Sequence, residues 1–187
     1  MAAKIVSIET IYEGWSKFSR AMIQTSGKPF KREIEDHGRA VVVLPYNPHT
    51  RTVILVRLLR APVLVAAAED SLLEAPAGLI DDDDPADAAR REVMEEAGIR
   101  ISDLEHVATV WTMPGISTER MDYYFARFSQ ADRIGKGGGV AGENEDITVE
   151  EHALAELWAM ARRGQIADLK TLTLIYALKD RHPELFD

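Results

Sequence analysis

Three glutamates at helical spacing are the residues of this chain best suited to do chemistry. Residues 85–97 predict a helix, on which Glu92 and Glu96 lie about 40° apart and Glu95 about 60° to the other side of Glu92. Like charges this close are unfavourable unless a cation compensates them. Mg²⁺ is typically held by one or two carboxylates and by substrate phosphates. The helix face that carries these three glutamates therefore has two interpretations. It is either a divalent cation site for a phosphate substrate or a solvated acidic surface in which Arg91 pairs with Glu95.

The helix that positions these glutamates has recognisable ends. Asp84 is a good N-cap, Pro85 suits the first helical position, and Gly98 suits a left-handed residue after the last turn. A second face has mostly small side chains, so the helix can lie close to a sheet. That face is formed by Ala86, Ala89, Val93 and Ala97.

The elements around this helix are mainly strands. Runs rich in β-branched and aromatic residues predict strands over 4–13, 15–26, 30–36, 39–45, 52–59, 71–75, 104–112 and 121–128. Apolar residues at helical spacing predict further helices over 153–162 and 169–180. This order is typical of an α+β fold, in which helices pack on a mixed sheet. Trp111 and Trp158 are expected in the core.

A glycine-rich loop over 129–146 has no evident purpose in the fold. Its glycines are followed by Glu143, Glu145 and Asp146. Because loops of this length are usually functional or disordered, we expect it to bring one of these acids to the functional site.

Composition excludes several classes of function. The chain has 187 residues, a net charge of −9 and no cysteine, so disulfides, thiolate metal sites and a cysteine nucleophile are absent. The negative charge argues against nucleic acid as a partner. The longest apolar stretch, Ala61 to Ala68, is far shorter than the roughly 20 residues that span a bilayer. We therefore expect a cytoplasmic protein with no membrane partner.

Residues 91–99 follow the pattern Arg-Glu-U-x-Glu-Glu-x-Gly-U, where U is a bulky apolar residue. In this segment the chain resembles the Nudix hydrolase family. The usual Nudix box has one more residue between Gly78 and the helix, and it has a glutamate where Asp83 stands here. The GDP-mannose pyrophosphatase branch of the family shares this shortened loop, and the chain is similar to that branch along most of its length.

The resemblance implies a fold and an activity. The fold is a mixed β-sheet sandwiched between α-helices, with an N-terminal antiparallel β extension over 1–38 and the hydrolase domain over 39–187. The activity is metal-dependent hydrolysis of the pyrophosphate bond of a nucleoside diphosphate sugar, here GDP-mannose to GMP and mannose 1-phosphate. ADP-ribose or another nucleotide sugar is the alternative substrate. A non-catalytic Nudix-fold regulator that binds nucleotides is the alternative of another class.

The resemblance also implies a metal site. The expected cofactor is Mg²⁺, with Mn²⁺ as the alternative, and its expected ligands are the carbonyl of Ala77 and the side chains of Glu92, Glu96 and Glu145. The same three glutamates are the expected catalytic residues, although Glu143 competes with Glu145 for the role of ligand or general base. Three residues are expected to support the site, namely Asp83, Arg91 and Glu95.

Substrate-binding residues are carried over by the same resemblance. They are Trp15, Lys31, Arg32, Glu33, Arg60, Ala77, Gly78, Leu79, Glu119 and Lys170. Taken alone, the charged members of this set are equally typical of solvated strand ends. The branch forms homodimers in which N-terminal strands are exchanged, so Trp15 and residues 31–33 are expected to serve the partner's site.

Overall fold

The computed structural model of the protein describes residues 2–81, 84–140 and 146–187. The chain divides into two compact units, of which the first comprises Met1–Ala40 and Thr109–Met121, and the second comprises Val41–Ala108 and Asp122–Asp187. None of the α-helices in the described ranges is long and apolar enough to cross a membrane.

The described residues form strands and helices in a mixed order. The strands are β1 (Lys4–Glu13), β2 (Lys17–Gln24), β3 (Phe30–Asp36), β4 (Arg39–Asn47), β5 (Thr52–Leu58), β6 (Leu72–Glu74), β7 (Ala77–Ile80), β8 (Leu104–Trp111), β9 (Arg120–Arg127) and β10 (Thr148–Ala153). The α-helices are α1 (Ala61–Ala67), α2 (Pro85–Ala97), α3 (Leu154–Arg162) and α4 (Leu169–Arg181). Short 3₁₀ helices cover Gln130–Asp132 and Pro183–Phe186.

The first unit contains an antiparallel sheet in the order β1-β2-β3. Ala21 at the centre of β2 is fully buried, whereas every residue of β1 is exposed. A parallel bridge joins Glu35 at the end of β3 to Ser117 in the segment after β8. The expected N-terminal antiparallel extension is therefore confirmed.

The second unit is built on a mixed sheet in the order β10-β5-β4-β9-β8, with β6 paired to β5 and β7 paired to β4. Val41, Val43 and Ile54 of β4 and β5 form one core cluster with the small residues of α2. The residues between them, such as Val42 and Leu44, are equally buried on the opposite face. The sheet is thus covered on both sides, as the expected mixed sheet between α-helices requires.

Helix α2 begins and ends where the sequence predicts. The Asp84 side chain accepts a hydrogen bond from the backbone N–H of Ala86 at 2.9 Å, and Pro85 occupies the first helical position. Gly98 follows the last turn with φ 69°. Left-handed backbone of this kind favours glycine, so these local signals fix both ends of the helix.

The glycine-rich loop has a structural role that the sequence did not indicate. The backbone N–H groups of Gly138 and Gly139 donate to the carbonyls of Glu96 and Glu95 at 2.9 and 3.1 Å, so the loop satisfies the open end of α2. A Cβ atom on Gly137 would lie 2.3 Å from the carbonyl oxygen of Glu96. Glycine is needed here because the two backbones are in direct contact.

The remaining differences from the predicted elements occur where local signals were weak. Helix α1 and strands β7 and β10 are absent from the predicted elements. Helix α1 contains Pro62 and β7 follows Pro76, and proline indicates a break or a turn. The expectation that Trp111 is a core residue is wrong: it ends β8 with 54% of its surface exposed and its ring against the Arg120 guanidinium. Trp158 is half-buried, and its ring meets those of Tyr176 and Phe186 edge-on.

We predict that Gly137→Ala lowers the free energy of unfolding by about 2 kcal/mol or more, because alanine meets both a left-handed backbone and a backbone clash. Gly164→Ala is the matched control, since Gly164 has φ +71° with no atom within 4 Å of the added Cβ. The control should lose about 1 kcal/mol. Urea unfolding of both variants measures the difference, and equal losses would mean that the clash is relieved at no cost.

Candidate active site

Two of the three helix glutamates are buried in the second unit. Glu92 is 8% exposed and Glu96 is 4% exposed, while Glu95 is half-buried. The backbone N–H of Ala77 donates a hydrogen bond to Glu96 Oε2 at 3.0 Å. Carboxylates are seldom buried without a partner, because desolvation of their charge is costly. A solvated acidic surface therefore does not describe Glu92 and Glu96.

Gly78 lets the carboxylate of Glu92 lie directly against the backbone of β7. A Cβ atom at position 78 would be 2.1 Å from Cδ of Glu92. Strand β7 packs against α2, so Ala77, Gly78 and Leu79 all lie beside the acidic face of the helix. The structure thus brings the first part of the predicted site together: a strand backbone on one side and two carboxylates on the other.

Arg91 holds this arrangement in place through three contacts. Its Nη1 lies 2.7 Å from Glu92 Oε1 and 3.2 Å from Glu95 Oε2. Its Nη2 donates to the carbonyl of Leu79 at 3.2 Å. Burial alone would lower the pKa of Arg91, but attraction by Glu92 and Glu95 raises it above its ordinary value. The guanidinium stays charged and ties the helix face to β7.

These residues fit a hard divalent cation in their chemistry. Carboxylate and carbonyl oxygens are the ligand atoms that Mg²⁺ and Mn²⁺ prefer. Because Gly78 has no side chain, the Glu92 carboxylate occupies the space that a Cβ atom at position 78 would fill. Over residues 2–81, 84–140 and 146–187, no three histidine, aspartate or glutamate side chains converge on one metal position. Glu92 and Glu96 would therefore supply part of a ligand set. Asp83, Glu143 and Glu145 lie outside the described residues.

Two predicted substrate-binding cations of the second unit share one buried carboxylate. Arg60 donates from Nε and Nη2 to the two oxygens of Glu74 at 2.8 and 2.9 Å, and the Lys170 ammonium also donates to Glu74. Glu74 is 1% exposed. Burial alone would raise the pKa of Glu74, but the hydrogen bonds and charges of Arg60 and Lys170 lower it below its ordinary value.

The first unit contains a different cluster, centred on His37. Its Nδ1 lies 2.7 Å from Glu35 Oε1 and its Nε2 lies 3.1 Å from Glu119 Oε1. The Trp15 ring, 78% exposed, stacks on the imidazole with centroids 5.2 Å apart. Ser117 Oγ donates to Glu35 at 2.8 Å. Trp15 and Glu119, two predicted substrate-binding residues, are thus linked through one histidine.

The other predicted residues of the first unit lie on β3. Lys31, Arg32 and Glu33 are exposed, and the Arg32 guanidinium lies 4.5 Å from the centroid of the Phe30 ring. Arg32, Glu33 and Trp111 line a cleft of about 530 Å³ within this unit. A cleft of this size is typical of small-molecule sites.

Sequence reasoning missed Glu74 and His37, the residues that organise the two charged clusters. Glu74 precedes Ala77 by three positions, but its cationic partner Lys170 is 96 positions away in sequence. His37 and Glu119 are 82 positions apart. Local spacing carries no signal for contacts of this separation, so only the fold could reveal them.

We predict that His37→Gln destabilises the protein more at about pH 5.5 than at about pH 9. Burial alone would lower the pKa of His37, but Glu35 and Glu119 raise it above its ordinary value. Stability from the imidazolium is therefore complete below the unfolded-state pKa of about 6.5 and is lost as pH rises through the higher folded-state pKa. Thermal unfolding at both pH values measures the effect. His49→Gln, on an exposed side chain, should show no such pH dependence.

The NUDIX domain family matches residues 36–172 of this chain. A protein of Cronobacter sakazakii (strain ATCC BAA-894) named GDP-mannose pyrophosphatase is 40% identical over 152 residues, which is 81% of this chain and 78% of that protein. A protein of the same name from Escherichia coli (strain K12 / DH10B) is 35% identical over 153 residues, which is 81% of this chain and 79% of that protein.

A solved structure shows the same fold. The crystal structure of an ADP compounds hydrolase superposes with a TM-score of 0.79 at 18% identity, covering 98% of this chain and 96% of that chain. The architecture therefore agrees with the sequence matches, and the resemblance noted from residues 91–99 is confirmed. The chain belongs to the Nudix family.

Proposed function

We propose that this protein hydrolyses the pyrophosphate bond of a nucleoside diphosphate sugar, with GDP-mannose as the preferred substrate and GMP and mannose 1-phosphate as products. The observation that carries the proposal is the buried pair Glu92 and Glu96, held against Ala77 and Gly78 inside a Nudix fold. The names of the relatives at 35% and 40% identity support the choice of substrate.

The proposed metal ligands are Glu92, Glu96, the carbonyl of Ala77 and Glu145, with Mg²⁺ as the cation and Mn²⁺ as the alternative. When bound, a divalent cation neutralises phosphate charge and lowers the pKa of coordinated water. The protein's own part is orientation. The Ala77 N–H fixes one oxygen of Glu96, and Arg91 holds Glu92 at 2.7 Å, so both carboxylates are in place before substrate arrives.

Hydrolysis adds water across the phosphorus–oxygen–phosphorus linkage, so one group must take a proton from the attacking oxygen. We assign this role to an acid of the loop after Gly139, where Glu145 is favoured and Glu143 is the alternative. Asp83 and Glu95 are proposed to support the ligands, as Arg91 does. The hydrogen bonds from Gly138 and Gly139 to the end of α2 support this role, because they anchor the start of that loop at the helix that carries Glu92 and Glu96.

Substrate binding is proposed for two groups of residues. In the second unit, Arg60 and Lys170 bind phosphate or sugar oxygens, and Ala77, Gly78 and Leu79 contact the substrate from β7. In the first unit, Trp15 stacks on the nucleobase, Lys31 and Arg32 bind phosphate or sugar, and Glu33 and Glu119 also contact the substrate. Exposure of the Trp15 ring and the cleft lined by Arg32 and Glu33 support this assignment, since base recognition combines an aromatic face with a few polar groups.

We predict that Glu96→Gln lowers kcat for GDP-mannose by roughly two orders of magnitude or more while the protein stays folded. The amide is nearly isosteric and can still accept the Ala77 hydrogen bond, but it lacks the charge that a cation needs. Steady-state kinetics with Mg²⁺ and circular dichroism measure the two effects. Asp87→Asn is the control, because Asp87 lies on the same helix with its side chain 71% exposed.

The wild-type protein should first be incubated with a panel of nucleotide sugars and Mg²⁺, with products identified by mass. GMP and mannose 1-phosphate from GDP-mannose are the expected products. Faster hydrolysis of ADP-ribose would change the substrate but keep the chemistry. Hydrolysis of none would refute the proposal in favour of a nucleotide-binding module, and near-normal turnover by Glu96→Gln would remove that residue from the mechanism.

We further propose that the protein is a homodimer whose N-terminal strands are exchanged, with residues 1–38 serving dimerisation and substrate binding and 39–187 serving as the hydrolase domain. Strand β1 supports this, because it lies at the edge of its sheet with all residues exposed. Five of its apolar side chains are 48–60% exposed, namely Ile5, Val6, Ile8, Ile11 and Tyr12. An apolar edge strand of this kind is suited to pairing with a second copy.

We expect light scattering to give twice the chain mass of 20.8 kDa for the wild type. Ile8→Lys should shift the protein to the monomer, because a charge on the edge strand opposes pairing. Val65→Lys is the control, since Val65 is an 87% exposed apolar residue on α1. A wild-type monomer at micromolar concentration would refute the proposed dimer.

A further inference from the structure

We infer that Glu74 is a positioning residue for substrate phosphate: it holds the Arg60 guanidinium and the Lys170 ammonium so that both present their remaining N–H donors to one anionic group. The inference rests on the proposed function and deepens it, since it concerns how the phosphate-binding cations are oriented. It adds a residue that does not itself touch the substrate, because the Glu74 side chain is 2% exposed.

The contact with Arg60 fixes a plane. Nε and Nη2 each donate to a different oxygen of Glu74, at 2.8 and 2.9 Å, in the two-bond geometry that suits guanidinium and carboxylate. A guanidinium has five N–H groups, so the three on the far side stay directed away from Glu74. The Arg60 side chain is 40% exposed, and this outer edge is therefore the part that a ligand can reach.

The contact with Lys170 fixes a point charge next to that plane. Its ammonium donates to Glu74 and, at 2.9 Å, to Asp168 Oδ1. An ammonium has three N–H groups, so these two bonds leave one donor with a defined direction. Glu74 is the group that both cations share, and it therefore sets their positions relative to each other.

The frame behind these cations is itself braced. Asp168 caps α4 by accepting hydrogen bonds from the backbone N–H and the hydroxyl of Thr171 at 2.9 and 2.6 Å. The Thr171 hydroxyl oxygen accepts from the backbone N–H of Ala75 at 2.6 Å, one residue after Glu74. The start of α4 is thus joined to the end of β6, which keeps Lys170 within reach of Glu74.

A purely structural role does not account for this arrangement. Buried ion pairs contribute little net stability compared with apolar packing, so stability alone gives no reason for two cations at one buried carboxylate. Here two cations converge on one carboxylate, and each has N–H groups that do not donate to Glu74 or Asp168. The competing explanation is that Glu74 screens the two charges and weakens phosphate binding, and this predicts the opposite change in KM.

The test is Glu74→Gln assayed with GDP-mannose and Mg²⁺. The amide of glutamine would place an N–H donor against two cationic donors, so Arg60 and Lys170 should turn away. We expect KM to rise about tenfold, with kcat within about threefold of the wild type. Loss of folded protein alone would lower the apparent kcat and leave KM unchanged. An unchanged KM, or a lower one, overturns the inference.

Two further variants make the test specific. Glu150→Gln is the matched control, because Glu150 pairs with Arg57 of β5 at 2.6 Å in the same way and should leave KM unchanged.

The effects of Glu74→Gln and Lys170→Met on KM should combine to less than their product, since Glu74 acts through Lys170. Multiplicative effects would mean that Glu74 acts by another route. If Glu74→Gln does not fold, Glu74→Asp withdraws the carboxylate by about 1.5 Å and should also raise KM.

Failure of this inference can be told apart from failure of the proposed function. A wild-type protein that hydrolyses GDP-mannose, with normal KM in Glu74→Gln, overturns only the inference. A wild-type protein that hydrolyses no nucleotide sugar overturns the proposed function. In that case calorimetry with inorganic pyrophosphate tests the inference directly: weaker binding by Glu74→Gln supports it, and equal or tighter binding overturns it.

Discussion

The burial of negative charge is the constraint on which the rest of this molecule depends. Glu74, Glu92 and Glu96 are each at most 8% exposed, and a carboxylate taken out of water must be compensated or it becomes protonated. Each has a different form of compensation. Glu74 has two cations, Glu92 has Arg91, and Glu96 accepts a backbone N–H from β7. The strands and helices that carry these groups must therefore stay in position, because a displacement would leave a buried carboxylate uncompensated.

That placement depends on how closely backbones can approach one another. Alanines at 88, 89 and 97 let α2 lie against the central strands, and Gly78 leaves the space that the Glu92 carboxylate occupies. Behind the helix, Gly137 is in contact with the backbone of Glu96. Small residues thus let α2 lie close to the central strands, to β7 and to the glycine-rich loop. A larger residue at position 78 or 137 would displace the helix or its carboxylates.

Local signals were sufficient where a single segment determines its own structure. Helix α2 was predicted to the residue because Asp84, Pro85 and Gly98 specify its ends, and the apolar runs of β4 and β5 specify buried strands. Strand β7 was missed since Pro76 and Gly78 are typical of turns, whereas here Gly78 accommodates a carboxylate. The expectation that Trp111 lies in the core is wrong because the sequence does not distinguish an exposed tryptophan at a strand end from a core aromatic residue. The spacing of Glu92 and Glu96 could be derived from the helix, but the partners of Glu74 could not.

The two charged clusters of the second unit differ in a way that separates their chemistry. Arg60 and Lys170 together carry two positive charges, which match the two negative charges of Glu74 and Asp168. In contrast, the acidic face of α2 carries three carboxylates, of which Glu92 and Glu95 share one cation, Arg91. A divalent cation bound at this face would add compensation for the carboxylate charge. The balanced cluster instead keeps directed N–H donors, which suit an anion that brings its own charge together with the metal. A substrate that carries both a diphosphate and a bound divalent cation is the chemical species that satisfies both clusters at once.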